Sequence, residues 1–238
     1  MNEFIFERAK FQQRYNCTFY NVDSIPVAER QHDYIGLVYV TVCPPLMFLY
    51  LLCLLCIWIS EQFKRPTYKL MFIMGMIHIS GLTTTGLLGG LFYIRGDVYC
   101  SSPLLIYITG ALDVGVLFFV PVPLFNSYEM TYVPNPHVGY FEDATNQYIV
   151  VWGLFHNSVD FCVSIVEIVT FLTLYHYKRN SNRDGNNNGF DHQMFIQVLL
   201  IHLFQLLTSV GLNYIRLFPT TKMINFSVNC IYLVSQVM

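Results

Sequence analysis

The stretch PLLIYITGALDVGVLFFVPVPLF, residues 103–125, decides how this chain is folded. It is almost wholly apolar and one membrane crossing long, since a helix needs roughly 20 apolar residues to span about 30 Å of hydrocarbon. Yet it holds an acid, Asp113, near its middle and two prolines, Pro121 and Pro123, near its end. The side of the membrane on which each end lies has to be read from the rest of the chain.

Of the 238 residues, 54% are hydrophobic and 12% are charged. A soluble domain usually carries about 25% charged residues. So few charges cannot cover a water-facing surface, and the lipid bilayer is the expected solvent. A net charge of −2 gives no reason to expect nucleic acid. Six apolar stretches follow one another: 34–59, 70–94, 103–125, 148–175, 194–215 and 223–238. Runs this long are helices, because only a helix satisfies its own backbone in lipid without closing a barrel. The expected fold is therefore all-α, a polytopic transmembrane bundle with six apolar segments over 34–238. Residues 1–33 form an extracellular tail with no apolar leader, so the first span is expected to act as the targeting signal.

Lys and Arg near span ends mark the cytoplasmic side, while acids count for little. The 60–69 connector carries Lys64, Arg65 and Lys69, and the 176–193 connector carries Lys178, Arg179 and Arg183. The 126–147 connector has neither Lys nor Arg, but holds Glu129, Glu142 and Asp143. The bias puts the first two inside and the third outside. One crossing per stretch puts 126–147 inside and 176–193 outside instead. A further crossing between residues 102 and 126 repairs both, yet the stretch is too short for two full crossings. It reads as two half-spans joined, with the loop between them missing. A shallow re-entrant hairpin bent at Pro121 and Pro123 would need protein around it. The remaining alternative is a plain six-pass chain whose few basic residues carry no message.

Several strings resemble the nematode seven-transmembrane chemoreceptors of serpentine receptor class T. RYNCTFYNVDSIPVAERQHDYIGLVYV (14–40) is similar to that family's outer tail and first span, and RPTYKLMFIMGMIHISG (65–81) to its first inner loop and second span. YCSSPLLIYITGAL (99–112) looks like the start of the third span. FVPVPLFNSYEMTYVPNPHVGYFEDATNQY (119–148) looks like the end of the fourth span and the second outer loop. QMFIQVLLIHL (193–203) looks like the sixth span. Measured against the family, the inner halves of the third and fourth spans, the loop between them and the end of the seventh span are missing. The resemblance implies a chemosensory receptor of the plasma membrane for a small-molecule ligand. A heterotrimeric G protein is its partner if it signals, and a receptor dimer is a further expected partner. The deletion implies defective signalling. The alternatives are a silent partner subunit of an intact receptor or a small transporter-like protein, though the two similar halves of a transporter are not evident.

Asn16-Cys17-Thr18 is an N-glycosylation acceptor that suits an outer tail, although such triplets also occur by chance. Cys17 and Cys100 both fall outside in the favoured topology, where disulfides persist. With no cysteine in 126–147, they are expected to pair, the alternative being two free thiols. Trp152, His156, Asp160 and Glu167 share one face of the fourth stretch. Charged groups within a membrane should face an interior or a wet cavity. The outer part of this face is expected to line a ligand pocket, made by Tyr107, Asp113, Trp152, Phe155, His156 and Asp160, or else to be a satisfied seam between helices. Gly81, Thr85 and Gly89, with Gly86 and Gly90, suggest close helix packing. His78 and His202 are read as lone histidines. No cluster has metal-ligand spacing, and no catalytic motif is evident, so neither cofactor nor enzyme is expected.

Overall fold

The computed structural model describes residues 6, 8–18, 21–113, 122–138, 151–181, 188–218 and 220–237. The chain forms two compact units, Met1–Val150 and Val151–Gln236.

In the first unit, helices α1 (Arg8–Arg14) and α2 (Val27–Arg30) lead into the long helix α3 (Asp33–Ile59). The buried residues of α3 are Gly36, Tyr39, Cys43 and Leu54, the first three at helical spacing. Most of its other apolar side chains, Leu37, Val38, Phe48 and Leu51 among them, are exposed, as lipid-facing groups should be.

The next helix runs in three joined parts: α4 (Pro66–Gly81), a π-helical stretch (Leu82–Leu88) and α5 (Gly89–Arg95). Pro66 opens it, where a missing N–H leaves no intrahelical bond unmade. In the π-helical stretch the Thr83 and Thr84 hydroxyls donate back to the Ile79 and Ser80 carbonyls at 2.8 and 3.0 Å, in competition with the backbone ladder. Gly96, at φ 65°, ends the helix. The Asp97 N–H donates to the Phe92 carbonyl at 3.0 Å and the Gly96 N–H to the Tyr93 carbonyl at 3.3 Å, the paired bonds of a Schellman cap. Where α5 meets α3, Gly90 lies against Gly36: a Cβ on Gly36 would fall 2.5 Å from the Gly90 carbonyl oxygen. Small residues permit this approach.

Among the described residues of 103–125 only the first part is helical. Helix α6 covers Pro103–Asp113, and strand β1 (Leu124–Asn126) pairs antiparallel with β2 (Thr131–Val133). Residues 114–121 lie outside the described residues. By Pro123 the chain is back beside α6, because a Cβ on Gly110 would run into the Pro123 carbonyl. The β-hairpin then docks at the end of the unit that holds the tail and the 96–102 turn. The Ser127 N–H donates to the Asp97 carbonyl at 3.1 Å, and the Ser127 hydroxyl donates to the Arg30 carbonyl. Two physical reasons support the return. Proline disrupts a helix, and non-helical backbone at membrane depth is tolerated when protein surrounds it. Val122, Leu124 and Phe125 are all buried.

The second unit is an antiparallel pair, α7 (Val151–Ser181) and α8 (Asn188–Leu217), followed by α9 (Lys222–Val237). Gly211 of α8 lets α9 approach, since a Cβ there would lie 2.8 Å from Val228. Among the described residues three helices are long and apolar enough to cross a membrane. They are Asp33–Ile59, Met71–Arg95 and Gly153–Tyr177, with mean hydropathies of 2.4, 1.4 and 1.7. The fifth and sixth expected stretches are helical as α8 and α9, and they bury Thr208, Ser209, Asn225 and Asn229.

Candidate functional site

The tail closes over one end of the first unit. Cys17 and Cys100 are disulfide-bonded, with Cα atoms 5.5 Å apart and a sequence separation of 83. This is the pairing that the placement of both cysteines on one side leads one to expect. Beside the bond, Tyr15 stacks on Phe11 at 4.7 Å and meets Tyr99 and Tyr107 at 5.7 and 5.8 Å. Desolvation in this cluster, with Tyr107 adjacent, pushes the Tyr99 phenol up to about 12. Next along the chain, Gln31 donates to the Ile94 carbonyl at 2.7 Å and the His32 N–H to the Tyr93 carbonyl at 2.9 Å. The tail is thereby sewn to the top of α5. From the hairpin side, Tyr93 donates to the Met130 carbonyl at 2.9 Å, and Tyr132 to the Thr84 carbonyl at 3.1 Å, within the π-helical stretch.

Asn16 belongs to the same cap. Its side-chain oxygen accepts from the Thr18 N–H at 2.9 Å and from the Thr18 hydroxyl, and its carbonyl accepts from His137 Nε2 at 3.0 Å. Burial pushes the His137 imidazole below its ordinary value of 6.5, and the bond to Asn16 opposes this only in part. A histidine held neutral in the fold takes up a proton more readily when unfolded. Its contribution is therefore full above about pH 6.5 and is lost as pH falls below that toward the depressed folded value. Wild-type thermal stability should fall between about pH 7 and about pH 5 more steeply than that of His137→Gln. Parallel melting curves across that range would show that His137 is not the group responsible.

In the second unit the buried positions of α7 among the described side chains are Gly153, Asn157 and Ser164. Phe155 and Asp160 are exposed. The side chains of Asp113, Trp152 and His156 lie outside the described residues. Tyr107 and Asp113 belong to the first unit and Trp152, Phe155, His156 and Asp160 to the second. Tyr107 is buried in the aromatic cluster, with the Phe11 ring at 5.1 Å. Neither histidine read as lone is alone. His78 Nδ1 meets the Tyr50 hydroxyl at 2.8 Å, and His202 Nδ1 meets the Glu167 carboxylate at 3.0 Å, with its ring over Phe171 at 5.6 Å. The need to satisfy polar groups away from water explains both pairs. Sequence spacing could not signal them, because each joins two different helices.

No curated protein and no solved structure matches the chain. The profile of the family described as serpentine type 7TM GPCR chemoreceptor Srt matches it in two pieces, residues 1–117 and 112–237. An apolar helical chain, a cysteine-tied tail and a match along nearly its whole length make this protein an integral membrane member of the Srt family of seven-transmembrane chemoreceptors.

Proposed function

We propose that the protein is a chemosensory receptor of the plasma membrane for a small molecule, with third and fourth membrane segments shortened so far that coupling to a heterotrimeric G protein is impaired. The return of the chain at Gly110 and Pro123 supports this reading most directly. A segment that comes back to its starting end makes no net crossing. The 126–147 connector then shares a side with the 95–102 turn, as the distribution of Lys and Arg demands. The two family matches meet at 112–117, inside that same segment. A ligand would act by binding one arrangement of the helices better than another. The same return favours a second role, as a partner subunit that alters the response of an intact relative while staying silent alone.

Tags inserted at residues 137 and 186 test the topology in intact cells. Residue 137 should be labelled from outside, and residue 186 only after permeabilisation. The reverse pattern would make this an ordinary six-pass chain and remove the basis for the shortened-receptor reading.

A further inference from the structure

We infer that the α7–α8 pair, around Arg216, binds small organic carboxylates that carry a hydroxyl beside the acid group. The inference rests on the receptor reading above only for the side from which the ligand arrives. Arg216, in the last turn of α8, makes no hydrogen bond or ion pair among the described residues. Arg216 is exposed as a whole, but its guanidinium packs against Gly153 of α7, where a Cβ would fall 2.7 Å from Arg216 Cζ and closer still to one of its nitrogens. One turn along the same face is Asn157, 6% exposed, whose Nδ2 has no partner. Asn213 stands three residues before Arg216, on the same side of α8. Its Nδ2 reaches the Ser158 hydroxyl oxygen at 3.5 Å, while its buried Oδ1 has no partner. Asn157 Nδ2 and Asn213 Oδ1 are the two unmatched buried side-chain atoms of this unit among the described residues.

The chemistry of the three groups is complementary to one kind of guest. A guanidinium fork and an amide N–H₂ suit the two oxygens of a carboxylate. A neighbouring hydroxyl on the guest would donate to Asn213 Oδ1. The simpler role for Arg216, as a cation near the C-terminal carbonyls of α8, accounts for its charge. It leaves both amide atoms without partners, and buried polar atoms are seldom left so. Asp160, the acid on α7 closest in sequence to Gly153, is exposed and makes no ion pair with Arg216.

The test uses the full chain in lipid nanodiscs, with thermal unfolding followed as sodium lactate, sodium propionate or lactamide is added. Lactate should raise the melting temperature saturably, propionate should bind more weakly, and neutral lactamide should have no effect. Arg216→Gln should weaken lactate binding by about tenfold or more, and Asn157→Leu by severalfold, as expected for lost charge-assisted bonds. Equal stabilisation by lactamide, no effect of lactate, or undiminished binding by Arg216→Gln would each overturn the site. If Arg216→Gln does not fold, the comparison of lactate with lactamide on the wild type decides alone. Because the readout is binding, reversed tags at 137 and 186 would overturn the receptor reading and leave this site standing. Correct tags without lactate binding would do the opposite.

Discussion

Gly110→Val is expected to remove most of the folded protein. Overpacking a core usually costs about 1–3 kcal/mol when side chains can shift. Here the obstruction is main chain: the new Cβ would run into the Pro123 carbonyl, and its branches toward Val122, whose Cγ1 lies 2.8 Å from that Cβ position. To make room, the segment entering β1 would have to leave α6, and with it Leu124 and Phe125, which are 0% and 1% exposed. Gly75→Ala is the matched control. Its Cβ would meet the Leu54 side chain at 2.5 Å, but that is a methyl group on a rotatable arm. The fraction of detergent-solubilised protein eluting as a single species should drop at least severalfold for Gly110→Val and change little for Gly75→Ala. Wild-type behaviour of Gly110→Val would mean that the chain does not return beside α6.

Loss of the bond between Cys17 and Cys100 should have the next largest effect. The tie closes a loop of 83 positions. In the chain-entropy picture a loop of that size contributes roughly 4–5 kcal/mol, and removing a native disulfide typically costs about 2–5 kcal/mol. For a chain of this size that corresponds to a melting temperature lower by roughly 5–15 °C. Cys17→Ser, Cys100→Ser and the double variant should fall together, since the second substitution removes nothing more. Reductant should bring the wild type to the same value and leave the variants unmoved. A double variant as stable as wild type would show that the tail is held by its hydrogen bonds and aromatic contacts alone.

Much of this architecture was legible in the residues, for reasons of scale. The long spans announce themselves because lipid demands about 20 apolar residues in a row, and the first ends at Ile59 as read. The cysteine pair was legible because only Cys17 and Cys100 fall in connectors on one side. At 103–125 six basic residues set the charge bias against a single crossing, an expectation that the tags at 137 and 186 test. The hairpin was not legible, since LFN and TYV are too short to show alternation. On α7 two sets repeat at helical spacing, Trp152–His156–Asp160 and Gly153–Asn157–Ser164, and among the described side chains Gly153, Asn157 and Ser164 are buried. Helical period alone cannot choose between neighbouring faces; contact with α8 does. Partners such as Glu167 and His202, on separate helices, leave no trace in local pattern at all.

The hairpin also bears on how the protein is made. Among the described residues, Arg30, His32, Thr84, Tyr93 and Asp97, which hold it from outside, come earlier in the chain. A ribosome emitting this protein therefore delivers the receiving surface before the piece that lands on it. These contacts can form during synthesis, as soon as the hairpin emerges.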